Sequence, residues 1–169
     1  KEKIEFFCSA FYPEAVKYLS KLGVKKFKVA SRTCKFIDPY SLEVLKEKNQ
    51  SKKEIFISMG MGGNKNKISK IFNKKKATFC YCISEYPLKI EKINWNEAKK
   101  YDGFSDHTMG ILAPIVFTIL KNQRQTNKIY IEKHVKLINS KGPDASTSIT
   151  TEQLAEMIKQ IRVIEKVKI

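Results

Sequence analysis

The chain has 169 residues, enough for one domain with a real core, and its make-up is globular, 42% hydrophobic and 11% aromatic. Formal net charge is +16, yet only Arg32, Arg124 and Arg162 are arginines; the lysines are spread over the whole chain, so a solvated lysine surface is expected rather than a nucleic-acid patch. No run of about 18 apolar residues occurs, so no helical membrane span is expected. Cys8, Cys34, Cys80 and Cys82 form no Cys-x-x-Cys, and Cys80 and Cys82, two apart in a strand, point the same way and do not bridge. Reduced thiols and a cytoplasmic location follow as expectations.

Taken in order, strand-like runs alternate with helical stretches. Ile4–Cys8 leads to a helix over 13–22, with Val16, Leu19 and Leu22 on one face and Gly23 as its stop. Residues 26–30 lead to a helix over 41–48, 54–57 to one over 67–72, and 78–83 through a loop to one over 95–99. Residues 102–104 lead to a helix over 111–120, and 128–133 to a last helix from Thr151. Thr150 and Gln153 form a capping box there, and Leu154, Met157, Ile158, Ile161 and Ile164 mark the expected core face. The opening residues lack the apolar stretch of a leader, and the chain starts almost directly on a strand, so further residues upstream are expected.

Six such alternations predict a parallel sheet covered by helices, either an open doubly wound sheet or a closed (β/α)8 barrel. No Gly-x-Gly-x-x-Gly follows the first strand, which disfavours a dinucleotide fold. Ser9, Ser31, Ser58, Ser84 and Ser105 fall near the ends of successive strands. Hydroxyls at the carboxyl ends of strands would rim the active mouth of a barrel, and with Lys28 they could hold a phosphate or carboxylate.

Both histidines, His107 and His134, lie where neighbouring strands run out. Imidazoles leaving adjacent parallel strands at one end could share a metal ion. The alternative is a pair of ordinary strand-end histidines, each with a hydrogen bond.

Lys28-Val29-Ala30-Ser31, Ser58-Met59-Gly60-Met61, Ser84-Glu85-Tyr86-Pro87, Ser105-Asp106-His107-Thr108, Glu132-Lys133-His134 and Gly142-Pro143-Asp144 follow one another in that order. Together they resemble the sialic acid synthase (N-acetylneuraminate synthase) family over nearly the whole chain. The resemblance implies an α/β fold of the (β/α)8 TIM-barrel type, with about six of the eight strand–helix units present. It implies a single, partial barrel domain over 1–169 without the family's antifreeze-like carboxyl-terminal domain. The activity it implies is condensation of phosphoenolpyruvate with an N-acetylated amino sugar of the N-acetylmannosamine type, giving a nonulosonic acid and phosphate.

It further implies that His107 and His134 bind a divalent metal, Mn2+ or Mg2+. Lys28, Ser9, Ser31, Ser58, Ser84 and Ser105 would hold phosphoenolpyruvate, and Tyr86 and Asp144 would stand near the sugar. Arg32-Thr33 occupies the place of a usual Gly-Glu pair, Ala10 that of a proline and Tyr81 that of a histidine. Six units leave two sheet edges unpaired, so a homo-oligomer or an upstream segment is expected to complete the barrel. A non-catalytic remnant that keeps the fold and binds a ligand or partner is the other reading.

Overall fold

The computed structural model describes residues 6–72, 77–122 and 129–167. It resolves into two compact units, Lys1–Cys80 and Tyr81–Ile169. The strand expected from Ile4 begins partly outside the described residues, as does the one expected from Lys128.

In the first unit, β1 (Cys8–Ser9), β2 (Lys26–Val29), β3 (Glu54–Ser58) and β4 (Ala77–Cys82, whose last two residues enter the second unit) pair in that order, all parallel. The helices are α1 (Pro13–Lys21), α2 (Ser31–Cys34), α3 (Ser41–Gln50) and α4 (Lys65–Ile71). Helix α2 was not legible in the sequence, being one short turn directly after β2. Pro13 opens α1 where a missing N–H costs nothing, and Gly23, at φ 85°, ends its exit turn. Asn64 caps α4 by accepting from the Lys67 N–H.

The apolar residues alternate along these strands. Phe27 packs with Val16, Val24 and Val44, while Val29, Ile55 and Ile57 pack with Leu45, Ile68 and Phe72. Strand periodicity of two therefore turns Lys28, Phe56 and Ser58 to the face opposite this core. Ser9 lies level with Lys28, and Lys28 with Phe56.

In the second unit, β5 (Gly103–Asp106) pairs parallel with β6 (Tyr130–Lys133). Helices α5 (Trp95–Ala98), α6 (Leu112–Asn122) and α7 (Thr151–Ile164) complete it. Phe104 stacks between Phe117, at 5.0 Å, and Tyr81, at 6.2 Å, and Ile131 packs on the same cluster. Thr150 and Gln153 make the expected capping box. The core face expected for α7 is only partly right: Met157 is buried, but Ile158 is 46% exposed. The Asn122 side chain closes the carboxyl end of α7, donating to the Ile164 and Val167 carbonyls at 2.8 Å.

The strand-end serines are less regular than expected. Ser9 and Ser58 do end β1 and β3, but Ser31 opens α2, Ser84 lies two residues past β4, and Ser105 sits inside β5, which runs on to Asp106. The strands differ in length, so equal sequence spacing does not give equal height.

Candidate functional site

Within the second unit, β5 and β6 carry the two histidines. Phe104 and Ile131 face the core, so alternation sends Ser105, His107, Glu132 and His134 to the other side. Both histidine backbones are held beyond the strand ends. The His107 carbonyl accepts from the Leu88 N–H and the His134 carbonyl from the Ile149 N–H, each at 2.9 Å.

The rings face one another with centroids 5.4 Å apart. His107 is buried, and its Nδ1 lies 2.6 Å from the Ile83 carbonyl oxygen. A carbonyl only accepts, so Nδ1 carries the proton and the Nε2 lone pair is left outward. The Tyr86 hydroxyl is 3.0 Å from that Nε2 and donates to it. Burial, reinforced by Cys82, Asp144 and Glu132, pushes the Tyr86 phenol up to about 12, so it stays protonated. Tyr86 also meets His134 edge-on at 6.0 Å and precedes Pro87 through a cis peptide bond.

Asp144 is placed by its own backbone. Its carbonyl accepts from the N–H and hydroxyl groups of both Thr147 and Ser148, which folds the Gly-Pro-Asp turn around it. Its carboxylate then lies 3.9 Å from His134 Nδ1, beyond hydrogen-bond distance.

Behind the histidines is a pair that sequence reasoning missed. Asp106 and Lys133 are level across the two strands and form an ion pair at 2.6 Å with side-chain exposures of 0% and 1%. Asp106 also accepts from the Thr108 N–H and hydroxyl, and Lys133 donates to the Thr108 carbonyl. The signal was in the parity: Lys133 shares a face with Ile131, and Asp106 with Phe104, so each had to be buried and paired.

The donor set suits a metal held by two imidazoles. His107 has its second nitrogen anchored on a backbone carbonyl, the arrangement that fixes tautomer and orientation in metal-binding histidines. Among the described residues no group of three or more His, Cys, Asp or Glu side chains is arranged to hold an ion. Other positions around a metal would belong to water or substrate.

In the first unit, Lys28 is buried at 7% exposure on the face away from the core, level with Ser9. Ser31 is buried, and its hydroxyl oxygen accepts from the Gly60 N–H at 3.0 Å. Ser58 is 2% exposed, and among the described residues its hydroxyl has no hydrogen-bond partner. Such an orphan costs about 1–3 kcal/mol. Arg32 forks onto Asp38, with contacts of 2.6 and 3.1 Å, and is more than half exposed.

Alternating strands and helices with imidazoles at the strand ends define a chain of the (β/α)-barrel type, six strand–helix units long. It belongs to the NeuB family, whose model matches residues 1–168. The chain is 34% identical to an uncharacterized protein of Methanocaldococcus jannaschii, covering 89% of this chain and 45% of that one. It is 31% identical to the N,N'-diacetyllegionaminic acid synthase of Campylobacter jejuni, covering 98% of this chain and 51% of the relative. It is 27% identical to the human N-acetylneuraminate-9-phosphate synthase, covering 96% and 46%. The chain thus spans about half the length of the curated relatives it matches. A crystal structure of a spore coat polysaccharide biosynthesis protein from Bacillus subtilis superposes with a TM-score of 0.75 at 21% identity, over 96% of this chain and 47% of that one. A truncated 3-deoxy-D-arabino-heptulosonate 7-phosphate synthase from Thermotoga maritima gives 0.62 at 10% identity, over 94% and 64%.

Proposed function

We propose that this chain is the greater part of a catalytic barrel that condenses phosphoenolpyruvate with an N-acetylated amino sugar of the N-acetylmannosamine type, releasing phosphate. The observation that carries this reading is the facing pair of imidazoles, one with its Nδ1 proton committed to the Ile83 carbonyl. Membership of a family that includes sugar-acid synthases gives that pair its chemical context.

In this reading, His107 and His134 hold Mn2+ or Mg2+. Bound there, the cation supplies polarisation of a carbonyl oxygen. Tyr86 and Asp144 hold sugar hydroxyls, Tyr86 as a donor because its phenol stays neutral. Lys28, Ser9, Ser31 and Ser58 of the first unit bind the anionic groups of phosphoenolpyruvate, with Ser58 gaining the partner it lacks. Ser84 and Ser105 of the second unit supply further hydroxyls. The work is cytoplasmic, and the barrel is completed by an upstream segment or by a second copy of the chain.

The other reading is a domain that binds these ligands without turnover.

Phosphate release that needs phosphoenolpyruvate, N-acetylmannosamine and Mn2+ together is the expected result for the enzyme; ligand-induced stabilisation without release would favour the binding domain. For the metal, titration of Mn2+ into His107→Ala and His134→Ala should show weakened binding in both. Unchanged affinity in both variants would refute the assignment.

A further inference from the structure

Lys48 has no part in the reading above, yet it is among the most deeply buried side chains of the first unit, 1% exposed. It lies on the inward face of α3 with Ser41, Val44 and Leu45. Its ammonium donates to the backbone carbonyl of Lys28 at 2.7 Å. Among the described residues this is its one hydrogen-bond acceptor, and no carboxylate is paired with it. A cation buried on a carbonyl alone is poorly compensated, and a methionine would fill the same space without that cost.

We infer that Lys48 is a concealed second cation behind the anion-binding strand β2, and that it takes up a proton when an anion settles on Lys28. This rests on the reading of Lys28 as an anion-binding residue. Val29 and Phe27 face the helices, so the Lys28 side chain leaves the strand on one side while Lys48 meets its carbonyl from the other. Lys48 is therefore not a ligand-contacting residue; it acts through β2.

The surroundings make its proton easy to lose. Burial lowers Lys48 to about 8, Cys8 of β1 and Cys34 of α2 act in the opposite direction, and the positive charge of Lys28 lowers it further. From α1, Lys17 is paired with Glu47 at 3.7 Å. From α4, Lys67 lies over the Phe36 ring and Lys65 over the Phe79 ring, so that helix brings only positive charge. Near pH 8 the site is thus poised between states. An anion that cancels the Lys28 charge removes a repulsion and favours the protonated form. By reciprocity the protonated form binds the anion more tightly.

The test is calorimetric titration of phosphoenolpyruvate into the chain, repeated in buffers of different ionisation enthalpy, at pH 6.5 and pH 8. The two pH values are compared by the difference between wild type and Lys48→Met, which cancels protons carried by the ligand itself. The expected result at pH 8 is an uptake of roughly 0.4 proton per ligand in the wild type beyond that in the variant, shrinking towards zero at pH 6.5. Equal uptake in the two proteins at pH 8 would overturn the inference while leaving the anion site intact. Absence of binding, or binding unchanged in Lys28→Ala, would instead bring down the anion site and this inference with it. If Lys48→Met does not fold, sulfate, which does not titrate in this range, replaces phosphoenolpyruvate as the anion, and wild-type uptake that fails to rise at pH 8 over pH 6.5 overturns the inference without the variant.

Discussion

Lys133 meets Asp106 across the ends of β6 and β5 at 2.6 Å, and neither side chain reaches solvent. Each is followed in the chain by one of the two histidines. The ion pair thus fixes the spacing of the two backbones from which His107 and His134 emerge. Thr108, bonded to both members, ties the segment after His107 into the same knot.

Removing one partner leaves the other charged and dry. Lys133→Met and Asp106→Leu are each expected to cost about 3–5 kcal/mol in urea unfolding. The double variant should recover most of that loss, because no uncompensated charge remains. Additive losses in the double-mutant cycle would show that the two residues act separately.

Lys48 should leave a mark on stability as well as on binding. Its proton is held less tightly in the folded chain, at about 8, than at the ordinary lysine value of 10.5. Below pH 8 both states are protonated and the folded state bears the whole penalty. Between 8 and 10.5 the unfolded chain binds more protons, so stability rises with pH. Lys48→Met should therefore be more stable than the wild type at pH 7, with the gap narrowing by about 3 kcal/mol as pH approaches 10.5. Parallel stability curves for the two proteins would contradict this.

Tyr86 occupies the lone pair of His107 that a metal would use. A hydrogen bond of this kind has a net worth of about 0.5–1.5 kcal/mol. Tyr86→Phe should therefore tighten Mn2+ binding by roughly two- to tenfold, read from the paramagnetic resonance signal of free Mn2+. Weaker binding in the variant would mean that the hydroxyl supports the metal rather than competing with it.

Much of this was written locally. Apolar runs placed the strands, where their residues are described, within a few residues. The capping box at Thr150 and Gln153 and the stop at Gly23 appeared where side-chain chemistry puts them. The motif series also marked His107, His134, Tyr86 and Asp144, which the second unit brings together. The spacing of Val44, Leu45 and Lys48 even carried a hint, since it sets the lysine on the buried side of α3.

The sequence by itself thus determined the alternation and, within a few residues, the limits of the longer helices, because propensity and periodicity act between near neighbours. Only the tertiary structure decided that Lys133 closes on Asp106, that Lys48 ends on the Lys28 carbonyl and that Tyr86 covers His107. Those contacts join residues 20 to 27 positions apart, and they form because a buried polar group must find a partner among whatever the fold brings near. Helix α2, one turn long, and the unequal strand ends were set in the same way, by packing and pairing across the sheet.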